Sequence, residues 1–163
     1  MQKRFIDRTH GVMMEKPLGA VDNWFEPGHQ FEWFFLLESS DLLRGTPLHA
    51  SLTRGFAYAE QMGVDNITGA VSGMLALDGS VRDGTQRIWA QAEYLRALTL
   101  RPHSAAVLQR QLLALPQHFL HAKGWNECLD AQGAVSRRDM PSTTPYHLAT
   151  CYQGLMQSTC DLR

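Results

Sequence analysis

The chain has 163 residues, of which 44% are apolar and 19% are charged, and its formal net charge is −1. This size predicts a single domain over residues 1–163, and the near-neutral charge excludes a basic nucleic-acid footprint and favours a neutral or weakly charged small-molecule partner. No apolar run reaches the roughly 18 residues of a membrane span, and three cysteines without paired spacing fit a reducing compartment, so we expect a cytoplasmic protein.

The first predicted element is a helix that follows an irregular segment. Glycine and proline interrupt any periodicity over residues 1–27. The apolar stretch that comes next predicts a helix over 29–43, buried on most sides, which Gly45 and Pro47 end. Apolar residues at helical spacing predict a second helix over 48–62.

Five glycines between residues 63 and 85 argue against a helix there, and alternation before Asp78-Gly79 predicts a small β-hairpin. Helical spacing resumes over 86–101, where Pro102 ends the third helix.

A fourth helix is predicted from about residue 104 to 122, with a kink at Pro116. Residues 123–144 are rich in turn formers, and a last helix is predicted over 146–158. The pattern therefore predicts an all-α fold of helical hairpins with long loops and one small β-hairpin.

Candidate chemistry begins at the start of the first buried helix. His29 and Glu32 are three residues apart, so their side chains share a helix face. The carboxylate would raise the imidazole pKa while the helix N-terminus would lower it, which would keep the pKa near neutrality for acid–base work. The residues alone also permit a hydrogen-bonded core histidine, or a metal site with these two ligands.

The third predicted helix carries an aromatic and polar cluster. Trp89 and Glu93 lie four residues apart on one helix face, and Gln91 points elsewhere. An indole beside a carboxylate suits a sugar site, but a core tryptophan beside a solvated glutamate is equally compatible with the pattern.

A last cluster combines the loop residues Trp125 and Glu127 with His147, which opens the final helix after Pro145. Since His29 and His147 both begin buried helices, we predict that they face a common cavity together with Glu32.

Four segments in this order resemble the C-terminal part of the N-acylglucosamine 2-epimerase superfamily, which includes sugar 2-epimerases and mannose isomerases. They are residues 28–33, 89–93, 124–127 and 146–147. The resemblance implies a partial (α/α)6 barrel, C-terminal portion only. The implied substrate is a monosaccharide or a sugar derivative. The implied protein partner is a missing N-terminal half or another copy of the chain.

The resemblance also implies roles for single residues. His29 and His147 would form an acid–base pair, with Glu32 orienting His29, and neither a metal nor a redox cofactor would be needed. The sugar cleft would be lined by Trp89, Gln91, Glu93, Trp125 and Glu127.

Trp33, directly after Glu32, favours the mannose-isomerase branch of this family. The predicted function is therefore aldose–ketose isomerisation of a mannose-type sugar through an enediol. An N-acylglucosamine-type 2-epimerase and an inactive part-barrel remnant with an assembly role are alternatives. A glycoside hydrolase that pairs Glu32 with Glu93 or Glu127 would leave both histidines idle.

A partial barrel would lack cover along its edges. We therefore expect a large apolar face around Trp33, Phe34 and Trp89, and no compact closed monomer.

Overall fold

The computed structural model describes residues 2–101 and 105–160, with side chains described for 4–101 and 105–158. Helices are the main secondary structure. The helices are α1 (Gln2–Phe5), α2 (Pro27–Glu38), α3 (Pro47–Gly63), α4 (Ile88–Leu98), α5 (Ala105–Phe119) and α6 (Thr144–Cys160). No helix in the described ranges is long and apolar enough to cross a membrane.

Short strands connect the helices and form three small antiparallel sheets. The first pairs β1 with β2, the second has the order β3-β6-β7, and the third pairs β4 with β5. The strands are β1 (Met74–Leu75), β2 (Val81–Asp83), β3 (Gln86–Arg87), β4 (Leu120–His121), β5 (Gly124–Trp125), β6 (Cys128–Leu129) and β7 (Val135–Arg137).

Helix α4 lies at the centre of the packing. It contacts α2 on one side and α6 on the other, α5 also packs on it, and α3 packs on α2. Every residue of α4 is buried, including its charged and polar side chains. Because α4 is covered on all sides, its polar side chains must find their hydrogen-bond partners within the protein.

The main hydrophobic core is built from the facing sides of α2, α3 and α4. Aromatic rings carry much of it: Phe31 packs against Phe56 and Tyr94 with ring centroids 5.0 and 4.6 Å apart, and Phe34 packs against Phe56 at 4.7 Å. Proline at the first positions of α2 and α3 favours helix initiation there, and Thr46 caps α3 by accepting a hydrogen bond from the His49 amide.

The first predicted helix is shorter than expected. It ends at Glu38 rather than at residue 43, and turns follow it. Ser39 donates its hydroxyl hydrogen to the carbonyl oxygen of Phe35 at 2.8 Å, a local bond that competes with continuation of the helix. Leu42 is exposed, so the apolar residues beyond the helix do not belong to the core.

The β-hairpin is present as β1 and β2, whereas the strands within the turn-rich segment were not predicted. Two- and three-residue strands are too short to show an alternating pattern. The fourth helix keeps Pro116 within it and ends at Phe119. Pro102 and residue 104, predicted to bound the third and fourth helices, lie outside the described residues.

The expected apolar face is only partly present. Phe34 and Trp89 are buried within the chain, because α2 and α4 pack directly on each other. Trp33 is half-buried, and Leu36 on the same face is 42% exposed. The open apolar surface is therefore narrower than predicted and follows one side of α2.

Candidate active site

His29 is held by a carboxylate from the irregular N-terminal segment. It is the third residue of α2, and its Nδ1 lies 2.7 Å from Oε1 of Glu15. The next residue, Gln30, is buried and clamps that segment to the helix through both atoms of its amide. Its Oε1 accepts from the Met13 amide at 2.7 Å, and its Nε2 donates to the Met13 carbonyl at 2.9 Å. Gln30 therefore holds the segment that carries Glu15 close to His29.

The charges around His29 favour its protonated form. Burial lowers the pKa of His29, but the hydrogen bond and negative charge of Glu15, with the charges of Glu26 and Glu32, raise it above its ordinary value of 6.5. Burial in turn raises the pKa of Glu26.

His147 has a different type of partner. It lies in the first turn of α6, and its Nδ1 is 2.7 Å from Oε1 of Glu93 on α4. Glu93 is fully buried, and its other carboxylate oxygen accepts a hydrogen bond from Arg96 one turn along α4. The Arg96 guanidinium lies over the ring of Phe35, 4.2 Å from its centroid. The buried carboxylate is thus shared between a permanent cation and the imidazole.

One indole connects the two histidines. The Trp89 ring centroid lies 5.0 Å from that of His29 and 5.3 Å from that of His147. This contact depends on Gly28, because a Cβ at that position would lie 2.7 Å from two atoms of the indole.

His29, Glu32 and His147 line the same cavity, which has a volume of about 710 Å³. In the described part of the chain, the recorded hydrogen bonds of both rings use Nδ1. Each Nε2 therefore remains available to a bound molecule. This volume and these two nitrogen atoms suit a small polar substrate such as a monosaccharide.

Glu32, expected to orient or polarise His29, makes no recorded hydrogen bond to that ring in the described part of the chain. The hydrogen bond to His29 comes from Glu15, and Glu32 contributes only its charge. Glu32 instead lies near the other histidine, since ligand atoms of Glu32, Glu93 and His147 are all within 4.8 Å of one another. A second group of the same kind is formed by Glu15, Glu26 and His29.

These two groups have the donor types that bind metal ions, but their donors already serve each other. In each group, the histidine Nδ1 and a carboxylate oxygen are paired at 2.7 Å, and in the group that contains His147, Arg96 holds the Glu93 carboxylate as well. A metal would have to displace these bonds or use Nε2. The expectation of a site that works without metal remains a prediction.

Gln91 does not belong to this cavity, contrary to the role that the resemblance implied. It is buried, and with its amide oriented to suit its surroundings, the nitrogen donates to the Gly69 carbonyl at 3.2 Å and the oxygen accepts from the Val71 amide at 2.6 Å. Gln91 therefore anchors the segment before the β-hairpin.

Trp125 and Glu127 support the cavity wall together. The Trp125 Nε1 donates to Oε2 of Glu127 at 3.1 Å, and the Thr144 hydroxyl donates to the same oxygen at 2.8 Å. Glu127 lines the cavity, whereas Trp125 packs with Ile88 and neighbouring apolar residues. Glu93 and Trp125 therefore lie behind the cavity surface instead of forming it.

Comparisons with known proteins identify the family of the chain. A family model described as N-acylglucosamine 2-epimerase (GlcNAc 2-epimerase) matches residues 5–151. A mannose-6-phosphate isomerase of Rhizobium meliloti (strain 1021) is 31% identical over an alignment of 169 positions, gaps included, that spans 89% of this chain and 42% of that protein.

Solved structures show the same fold over nearly the whole chain. The crystal structure of a D-mannose isomerase matches with a TM-score of 0.66 and 27% identity, covering 88% of this chain and 38% of that one. A sugar epimerase from a ruminal bacterium matches with a TM-score of 0.77 and 14% identity, covering 94% and 45%. The chain thus spans less than half the length of the relatives it matches.

Proposed function

The chain belongs to the N-acylglucosamine 2-epimerase family, and from this we propose that it carries the acid–base pair of a sugar isomerase that converts an aldose to a ketose. The observation that carries the proposal is the arrangement of His29 and His147. Each is fixed at Nδ1 by a carboxylate at 2.7 Å, and both rings contact Trp89 in one cavity.

The chemistry requires one group that removes a proton and one that supplies a proton. In an open-chain aldose, the C2 hydrogen is acidic because C1 is a carbonyl. We assign the base to His147, whose Nε2 takes the C2 proton while the bonding electrons form a C1–C2 double bond. We assign the acid to His29, because its surroundings favour the protonated form, and it gives its proton to O1.

The resulting enediol collapses in one of two ways. When His147 returns its proton to C1 and the O2 hydroxyl gives its proton back to His29, a carbonyl forms at C2 and the product is a ketose. When His29 instead takes the proton back from the O1 hydroxyl and delivers it to C2 from the face opposite His147, the C1 carbonyl re-forms and the product is the 2-epimer. The placement of histidines on two different helices around one cavity supports this second outcome as the alternative function.

The substrate class is proposed from the relatives. Two of them are named for mannose or its 6-phosphate, and Trp33 follows Glu32 as the resemblance implies for the mannose-isomerase branch. We therefore propose a mannose-type sugar. Glu32, within reach of His147 and Glu93, would bind a sugar hydroxyl or adjust the charge beside the base.

The architecture proposed for the complete site is a partial (α/α)6 barrel. Helices α2, α4 and α6 are successive neighbours and supply all the assigned groups except Glu15, so they would form part of the inner layer. The rest of the barrel would come from a missing half or from another copy of the chain. We propose a cytoplasmic location as well, on the evidence of the cysteine pattern.

Deuterium incorporation tests this function. The chain is incubated in D₂O with mannose, glucose and N-acetylglucosamine, and the sugars are followed by NMR. Loss of the C2 hydrogen signal with appearance of a ketose is expected for the isomerase, and appearance of the 2-epimer alone would identify an epimerase. Retention of the C2 hydrogen in all three sugars would contradict the proposal and favour an inactive remnant.

A further inference from the structure

Two arginines line the same cavity as the histidines. Arg87 ends β3 and Arg137 ends β7, on either side of β6. In the sheet register, Arg87 faces Cys128, and Cys128 faces Arg137. Residues directly opposite each other in an antiparallel pair project from the same face of the sheet. The register therefore explains why both guanidinium groups reach one cavity.

Arg87 contacts the same indole as the acid–base pair. The Arg87 guanidinium carbon lies 5.3 Å from the centroid of Trp89, the indole that also contacts His29 and His147. A molecule lying along this indole would have one end between the histidines and its other end beside Arg87.

Arg87 belongs to none of the ion pairs found within the described ranges. Its guanidinium contacts the indole, and its charge acts on the carboxylate of Glu26, whose pKa it lowers against the larger effect of burial. Arg137 pairs with Asp139 through two hydrogen bonds of 2.7 and 2.6 Å, and both side chains are about half exposed. Such an exposed ion pair contributes little to stability, so Arg137 can leave Asp139 to bind an anionic ligand.

Three carboxylates also line the cavity and must be weighed against the arginines. Glu127 already accepts hydrogen bonds from Trp125 and Thr144. Glu26 and Glu32 come from the α2 side together with His29, whereas Arg87 and Arg137 come from the sheet. The sheet therefore contributes both arginines of the cavity, and the charges of Glu26 and Glu127 act on Arg87 and Arg137 respectively.

We propose that Arg87 and Arg137 form a subsite for the phosphate group of a sugar phosphate, so that the substrate is an aldose phosphorylated at the end remote from C1. This proposal rests on the proposed function for the position of the reacting carbons. Guanidinium groups suit it because each can donate two parallel hydrogen bonds to phosphate oxygens. The Thr143 hydroxyl, on the same cavity wall, would be a further donor.

Calorimetric binding tests this subsite. Mannose 6-phosphate, mannose and inorganic phosphate are titrated into the wild-type chain and into R87Q, R87K, R137Q and R138Q. Arg138 is the matched control, because it directly follows Arg137, is exposed and does not line the cavity. Circular dichroism of each variant checks that it is folded.

We expect mannose 6-phosphate to bind roughly tenfold or more tightly than mannose, since charge-assisted hydrogen bonds are the strong ones. R87Q and R137Q should lose this preference, R87K should keep part of it, and R138Q should keep it in full. Inorganic phosphate should compete with the sugar phosphate. Equal binding of mannose and its phosphate, equal losses in R137Q and R138Q, or no binding of the phosphorylated sugar would each overturn the subsite.

The outcome is separable from that of the proposed function. C2 deuterium exchange of mannose by the wild-type chain, without any preference for its phosphate in binding, would overturn the subsite and leave the isomerase intact. Arginine-dependent binding of mannose 6-phosphate without exchange at C2 would support the subsite and contradict the isomerase.

Discussion

At the scale of single residues, the two histidines differ in what lies behind them. Glu15 is partly exposed and pairs with His29 alone, so its full charge acts on that ring. Glu93 has no solvent contact and divides its two oxygens between His147 and Arg96. This asymmetry supports the assignment of His29 as acid and His147 as base.

Replacing Glu15 tests the first of these environments. E15Q should lower the pKa of His29, because it removes the charge that offsets the effect of burial. The measurement is an NMR titration of the histidine ring signals. E38Q is the matched control, since Glu38 holds His49 at 2.7 Å outside the cavity. An unchanged His29 titration in E15Q would refute the role of Glu15.

The same pair predicts a pH dependence of stability. The pKa of His29 is higher in the folded chain than its ordinary value of 6.5, so its protonation stabilises the fold. This stabilisation is fully present below the pKa of His29 in the unfolded chain. It is lost as the pH rises through the pKa of His29 in the folded chain. It should be small because both groups are partly exposed, and it should disappear in E15Q when urea unfolding is measured across this range.

Some of these residues could be predicted from sequence and others could not. His29, Glu32 and His147 fall in segments that resemble a known family, and the cavity contains all three. Glu15 precedes His29 by 14 residues in an irregular segment, where no periodicity indicates a contact. Gln91 was expected in the sugar cleft, but it bonds to backbone atoms of Gly69 and Val71. A family motif gives the position of a residue in the sequence and not the backbone groups that it contacts.

At the scale of elements, the contact between α2 and α4 aligns the site. Gly28 allows the indole of Trp89 to lie against the first turn of α2. The sequence predicted both helices, α2 from its long apolar stretch and α4 from helical spacing. It could not predict their close approach, which depends on the absence of one Cβ atom.

Substitution of Gly28 tests this contact. G28A should destabilise the fold by about 1–3 kcal/mol, because its methyl group would overlap Trp89 and the Cβ of Ala90. The free energy of unfolding in urea measures the effect. G154A in α6 is the control, since the atom nearest to its methyl group would be Cγ of Arg96, at 3.3 Å. Equal effects of the two substitutions would contradict the account of the contact.

At the scale of the whole molecule, the open side of α2 is the main uncovered apolar surface beside the site. A groove there is lined by Phe5, Met13, Trp33 and Leu36, and it extends to Glu15 and His29. The sequence predicted an uncovered face around Trp33, Phe34 and Trp89, of which Trp33 lines the groove and the other two are buried. Apolar residues on α2 could not be divided into covered and open sides until the position of α4 was known.

This groove predicts association of the chain. We expect the weight-average mass from light scattering to rise with concentration, since contiguous apolar surface usually marks a contact. L36K should lower the mass toward that of a monomer. L113K is the control, because Leu113 is exposed on α5 away from the groove. A monomer at all concentrations in the wild-type chain would show that the α2 side needs no cover.

The central claim is that His29 and His147 move the protons of a sugar held between them. The most direct test compares C2 deuterium exchange in the wild-type chain, H147Q and H49Q, with mannose and mannose 6-phosphate as substrates. His49 is the matched control, because it pairs with a glutamate at the same distance but lies outside the cavity. Loss of a positioned base should lower exchange by about 10²–10⁴-fold in H147Q, while H49Q remains at the wild-type rate. Exchange by H147Q at the wild-type rate would contradict the account.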